Sequence, residues 1–261
     1  MRRNAILTFR RHEFSYENSG ARARVTPEMQ VRGKAKMSVR FPNESDAYRQ
    51  SRDALLVTEL ALRDQLEDLA AKRRSLPPGG EIPRDFLFTA LDGTPAPLSS
   101  LFGQHTTLAL YSYMFAPEDD RPCPACTSLV DGWNGQLPQI RQRIAFAAVS
   151  SAKIEKLADL KKRRGWNNLP LYSAAGTDYQ KLYHGVDETG TERTFLNIFT
   201  RDSDTIRHFW GSETERAEIE GHPRHIDTIW PLWGMLDFTP NGREDFFPDV
   251  FQDHQDGRSK P

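Results

Sequence analysis

Two short apolar runs, "TTLALYSYMF" at 106–115 and "RIAFAAVS" at 143–150, flank a stretch that opens "RPCPACTSLVDGWNG", and this alternation most limits what the chain can become. Runs of that length, rich in aromatic or β-branched residues and lacking polar alternation, read as buried parallel strands. The residues between them, from about Cys123 to Gly135, predict a helix and complete one strand-helix-strand unit. "SAKIEKLADLKKRRG" predicts a second helix, capped by Ser151 and stopped by Gly165, after which "LPLYS" resumes the sheet. Upstream, "DFLFTALDGTPAPLSSLFG" reads as a strand, an Asp92-Gly93 turn and a short helical turn ending at Gly103. Downstream, "RTFLNIFTRDSDTIRHFWG" has the form of a hairpin around "RDSD", and "HPRHIDTIWPLWGMLDFTPNGRED" predicts a closing helix with Pro223 near its start. Together these elements give the α/β class, a mixed sheet flanked by helices.

An amphipathic helix precedes this domain, in "NESDAYRQSRDALLVTELALRDQLEDLAAKRRSL". Asn43 or Ser45 can cap it, Asp46 suits the positive first turn, and Lys72, Arg73 and Arg74 suit the negative last turn. Tyr48, Leu55, Leu62, Leu69 and Leu76 recur every seven residues with Leu66 beside them, so one narrow apolar stripe runs along it before "PPGG" stops it. That stripe has two readings, a homodimer seam through residues 44–76 or a face lying on the chain's own domain. A repeat of this length stands at the lower limit for a coiled coil. The expected organisation is therefore a disordered basic extension over 1–40, helix and linker over 41–80, the main domain over 81–248 and a disordered tail over 249–261.

Charge and composition exclude several roles. The formal net charge of -1 predicts no bulk attraction to nucleic acid or to an anionic membrane. Residues 1–40 carry ten basic side chains against three acidic ones, which leaves 25 basic and 33 acidic groups in the rest. No apolar run reaches the roughly 18 residues of a spanning helix. The Arg-rich start lacks the apolar core of a secretory signal. It imitates an organellar transit peptide, but a disordered extension, with Met29 and Met37 as alternative starts, is the better reading. The expectation is a cytoplasmic protein without membrane or nucleic-acid partners. No G-x-G-x-x-G, phosphate loop or G-x-S-x-G occurs, so no nucleotide, flavin or serine-hydrolase chemistry and no cofactor is expected.

The chain's only cysteines, Cys123 and Cys126, lie three apart, with Pro122 before the first and Pro124 between them. Two thiols so spaced in a reducing compartment point to redox or metal chemistry. Cys123 follows a strand and the polar loop "APEDDRP" and opens a helix, where unpaired backbone N–H groups and the macrodipole favour its thiolate. It is the candidate nucleophile, and Cys126, one turn deeper, the resolving thiol. Pro124 fits the first helical turn. Arg121 favours the thiolate, whereas Glu118, Asp119 and Asp120 oppose it. Asp131, on the same helix, is a candidate proton relay during resolution, or else a polar residue near the helix end. Arg121, Pro122 and Tyr113 are candidates for a substrate groove; Tyr111 and Tyr113, alternate residues on one strand face, fit core packing equally well.

The order of strand, C-P-A-C helix, strand, helix, hairpin and helix resembles the thioredoxin-like fold. More closely, "LYSYMFAPEDDRPCPACTSLVDGWNG", "FAAVSSAKIEKLADLKKRRGW" and "MLDFTPNGRED" resemble the bacterial domain-of-unknown-function family 899, over most of residues 44–248. That resemblance implies a thioredoxin-like fold and a dithiol-disulfide oxidoreductase activity, without naming a substrate. It places the family's motif on Cys123, Cys126, Asp131, Gly132 and Gly135. The chain departs from thioredoxins in carrying Glu192, Arg193 and Thr194 where a proline usually precedes the strand facing the dithiol, and Pro122 where a tryptophan is usual. The proline and threonine spacing of peroxiredoxins is also absent.

A protein or low-molecular-weight disulfide is the expected partner. The alternative is a non-catalytic redox sensor or interaction module using the same pair. A zinc site built from both cysteines with His222 and His225 fits less well, because nearly a hundred residues separate the halves; no metal is expected. The five tryptophans read as packing anchors, and "KKRRG" at 161–165 as a solvated helix end complementing its dipole.

Overall fold

The structure, a computed structural model of the chain, describes residues 39–215 and 228–250. It divides into two compact units, one ending at Gln65 and one beginning at Leu66. The extension before residue 39, the 251–261 tail, Pro223, His222 and His225 lie outside the described residues.

In the first unit, Ser45 is the residue that caps helix α1 (Asp46–Arg74), its hydroxyl accepting the Tyr48 N–H at 3.1 Å. Arg49 is buried and holds the lead-in segment, donating to the Val39 carbonyl at 2.8 Å and pairing with Glu44 and Asp53. The leucines of the seven-residue stripe, along with Tyr48, are exposed.

The second unit is built on a seven-stranded sheet, β1 (Leu87–Thr89), β2 (Pro95–Pro97), β3 (Thr107–Ser112), β4 (Ala145–Ser150), β5 (Leu171–Ser173), β6 (Phe195–Asp202) and β7 (Thr205–Gly211). Its spatial order is β2-β1-β5-β4-β3-β6-β7. β3, β4 and β5 run parallel, β6 lies antiparallel beside β3, and β6 and β7 form the expected hairpin. With α2 (Pro124–Ile140) as the crossover from β3 to β4, the β4-β3-β6-β7 half is thioredoxin-like. Side-chain alternation along β3 sends Ala109 and Tyr111 into a core with Leu129, Val130 and Trp133 of α2 and with Leu157 and Leu160 of α3 (Ile154–Arg164). Leu108 and Leu110 join Phe86, Phe88, Phe102, Tyr179 and Phe199 on the other face. Covered on both sides, β4 is buried at every residue, which is why its sequence shows no polar alternation.

Three boundaries differ from expectation. α2 runs to Ile140, straight through Gly132, Gly135 and Pro138. Glycine lowers helix propensity by about 1 kcal/mol, but Leu129, Val130, Trp133 and Leu137 supply a buried apolar face that outweighs it. Pro138 cannot donate to the carbonyl four residues back, and that Asn134 oxygen instead accepts the Asn168 side-chain amide at 3.0 Å. α3 begins after Lys153 rather than Ser151, while Gly165 ends it with φ 66°, the left-handed conformation glycine adopts readily. The last described helix, α4 (Pro231–Asp237), takes Pro231 and not Pro223 at its first position.

The segment after "PPGG" is tied to β7, with His208 N–H donating to the Gly80 carbonyl and Ile82 N–H to the Ile206 carbonyl. A side chain on Gly79 would place its Cβ 1.7 Å from the His208 carbonyl oxygen, whereas Gly80 faces open space. Gly79→Ala is therefore expected to destabilise the fold by about 1–3 kcal/mol in urea unfolding, with Gly80→Ala within about 1 kcal/mol of the parent.

Candidate active site

The polypeptide leaves β3 and returns on itself before α2. Tyr113 N–H still donates to Val149 across the sheet, and Cys123 N–H donates to the Met114 carbonyl at 3.1 Å, closing the 115–122 loop. Lys156 of α3 holds the loop from outside, its ammonium donating to the carbonyls of Pro117 and Asp119 at 2.6 and 2.7 Å. Cys123 is thereby fixed as the N-cap of α2, with Pro124 in the first turn, where a missing N–H leaves no carbonyl unserved. Its sulfur accepts the Cys126 N–H at 3.5 Å. No disulfide joins the two cysteines; Cys123 is half-buried and Cys126 is 2% exposed.

This placement splits the two thiols electrostatically. A hydrogen bond from the Cys126 thiol, supported by the backbone N–H groups of Cys126 and Ala125 and opposed by burial, lowers the Cys123 pKa to about 6. The same hydrogen bond, reinforced by burial and by the Cys123 charge, raises the Cys126 pKa well above the ordinary thiol range. At neutral pH the outer sulfur is thus a thiolate and the inner one a thiol. Two donors limit the penalty on Cys126, the Tyr111 hydroxyl and the Met114 backbone N–H.

The other predicted site residues scatter. Arg121 is exposed beside the dithiol, and Pro122 is buried. Tyr113 lines no groove. It is fully buried, and its hydroxyl lies 2.6 Å from the Thr127 hydroxyl, which itself donates to the Cys123 carbonyl at 2.8 Å. With the Thr127 proton committed, Tyr113 is the donor, and the pair fixes the first turn of α2 from beneath. Asp131 sits further along α2, where one oxygen accepts the Trp166 indole N–H at 2.7 Å and both accept from the Arg164 guanidinium. It clamps α2 to the end of α3, and Arg164 is consequently one cation of "KKRRG" that is not a solvated charge. Trp133, Trp166, Trp230 and Trp233 are core residues, and Arg73 stacks over Trp210 at 5.0 Å.

Two features escaped sequence reasoning. Thr194, directly before β6, donates its hydroxyl proton to the Tyr111 hydroxyl oxygen. It is positioned by a turn in which Asp187 accepts from the Thr189 hydroxyl and N–H, the Thr191 N–H and Arg193; the Thr189 bond is the largest reason the Asp187 carboxyl is held at about 2. The D-x-T-x-T spacing of that turn was a readable signal. Glu192 is half-buried near Ser151 and Phe115, and burial raises its pKa; no pattern in the sequence marks it. Among the described residues no group of three or more His, Cys, Asp or Glu side chains gathers to hold a metal, and no helix is long and apolar enough to cross a membrane.

The sequence profile of the family described as "Bacterial protein of unknown function (DUF899)" matches residues 38–256. The chain belongs to that family. No curated protein matches it. Among solved structures it is similar to the peroxidoxin BcpB of Mycobacterium tuberculosis, at 21% identity over 52% of this chain and 84% of that one, with a TM-score of 0.40. It is also similar to a variant of PrxQ from Xylella fastidiosa, at 14% identity over 59% and 93% of the two chains with a TM-score of 0.41. A secreted M. tuberculosis disulfide oxidoreductase homologous to E. coli DsbE aligns at 16% identity over 46% and 80%, with a TM-score of 0.34.

Alkylation of this family member is expected to report Cys123 alone, with half-maximal reactivity near pH 6. A lowered thiol pKa leaves the thiolate in place above that value and removes it as pH falls through it. A midpoint in the ordinary range near 8.5 would contradict the arrangement. Asp131→Ala strips the buried Trp166 indole of its acceptor and should cost about 1–3 kcal/mol of stability in urea unfolding, while leaving the Cys123 midpoint where it was.

Proposed function

We propose that this protein is a thiol-disulfide oxidoreductase working through the Cys123–Cys126 dithiol. What carries the reading is the asymmetry of the pair: a half-exposed sulfur at a helix N-terminus with its pKa lowered to about 6, over a buried thiol one turn deeper. A purely structural pair needs neither the exposure nor the split, and a module that only binds partners gains nothing from a thiolate at neutral pH.

The Cys123 thiolate attacks one sulfur of a substrate disulfide, forming a mixed disulfide and expelling the other sulfur as a thiolate, which takes up a proton. Cys126 then loses its proton and attacks the Cys123 sulfur. The intramolecular disulfide forms as the bond from Cys123 to substrate breaks, releasing the second substrate thiol. The substrate gains two electrons from the dithiol and two protons, one from the Cys126 thiol and one from solvent. The reverse sequence oxidises a substrate dithiol, and an external thiol or disulfide resets the pair. The substrate class is a protein or low-molecular-weight disulfide that approaches from the exposed Arg121 side. Asp131 acts here by fixing α2 rather than by moving protons, since Arg164 and Trp166 occupy its carboxylate.

Replacing the resolving thiol isolates the first step. Cys126→Ser treated with oxidised glutathione is expected to accumulate a stable adduct on Cys123, visible by intact mass, and Cys123→Ser is expected to form none. A Cys126→Ser protein that never carries an adduct would speak for the non-catalytic alternative.

A further inference from the structure

We propose that Tyr111 is a catalytic residue of the second half-reaction, its hydroxyl donating to the Cys126 sulfur as that sulfur becomes the attacking thiolate. This rests on the exchange mechanism above and assigns a side chain that supports its second step beside the Met114 backbone N–H.

Resolution faces an electrostatic obstacle built into the site. Cys126 is 2% exposed, so bulk water cannot solvate its thiolate. A compensating donor must come from the protein, and Tyr111 is buried in the same cluster as Cys126, its hydroxyl countering the rise in the Cys126 pKa. The direction of that bond is set from the far side. Thr194 donates its own proton to the Tyr111 oxygen, so the phenolic proton is left to point at Cys126. A donor that is itself accepting a hydrogen bond is polarised and strengthened. The ring has little freedom to turn away, because it is 1% exposed and Trp133 meets it edge-on with centroids 5.0 Å apart. Thr194 is the positioning residue, held by the Asp187 turn and by Arg193 N–H donating to the Gly185 carbonyl.

In this step Tyr111 keeps its proton. The Cys126 S–H proton passes to the departing substrate sulfur, the Cys126–Cys123 bond forms, and the bond from Cys123 to substrate breaks. No other reactant is needed.

A chromogenic aromatic disulfide separates the two half-reactions, since attack by Cys123 releases one chromophore and resolution by Cys126 releases the second. Tyr111→Phe, which keeps the buried ring, is expected to leave the first release unchanged. It should slow the second by roughly tenfold or more at neutral pH, as expected for loss of a hydrogen bond to a charged sulfur, and move that phase's pH midpoint upward. Thr194→Val should produce the same shift in smaller measure, and Thr194→Ser should restore the parent profile. If the second phase keeps its rate and midpoint in Tyr111→Phe, or if both phases slow alike, the inference is overturned and the tyrosine only packs. A parent protein that releases no chromophore at all removes the exchange mechanism itself, which separates the two failures.

Discussion

A thiol donating a hydrogen bond to a thiolate across one helical turn is the interaction on which the site depends. It lowers the pKa of Cys123 and raises that of Cys126 at once, so a single contact sets the two thiols apart. The contact exists only if Cys123 is the N-cap and Cys126 lies in the first turn. The sheet guarantees this: β3 delivers the chain to that point, Cys123 N–H ties back to Met114, and Thr127 with Tyr113 holds the turn from below. Burial cuts both ways here. It opposes ionisation of both sulfurs, and the outer one overcomes it because three donors converge on it while the inner one has the neighbouring charge against it.

Around that contact the structure distributes rigidity unevenly. Asp131 with Arg164 and Trp166 fastens α2 to α3, and the Asp187 turn fixes Thr194 under Tyr111. The 115–122 loop is held mainly through backbone carbonyls by Lys156 and presents exposed residues from Pro117 to Arg121. Side-chain contacts thus hold the dithiol from beneath, and exposed loop residues lie beside it.

Much of this was legible from local pattern. Buried parallel strands announce themselves as unbroken apolar runs, and Cys-Pro at a strand-to-helix junction places a thiol at a helix N-terminus, so β3, β4, the hairpin and the position of Cys123 were all readable. What failed involved long-range partners. Asp131 looked like a relay because its sequence neighbours are cysteines; its spatial neighbours are Arg164 and Trp166, 33 and 35 residues away. Tyr113 looked like a groove residue because it ends a strand beside the loop, and only the packed structure shows α2 covering it. α2 outran its glycines for the same reason, since tertiary burial of Trp133 and Leu137 decides where propensity alone would stop. The bond between Tyr111 and Thr194 spans 83 residues and left no mark in either segment.

The most direct test of the exchange mechanism is intact-mass thiol counting on the parent protein equilibrated across a series of glutathione redox buffers. A working dithiol gives reversible loss of both cysteine hydrogens with a midpoint between roughly −270 and −120 mV, the range spanned by exchange catalysts. Thiols that stay reduced in every buffer would contradict it.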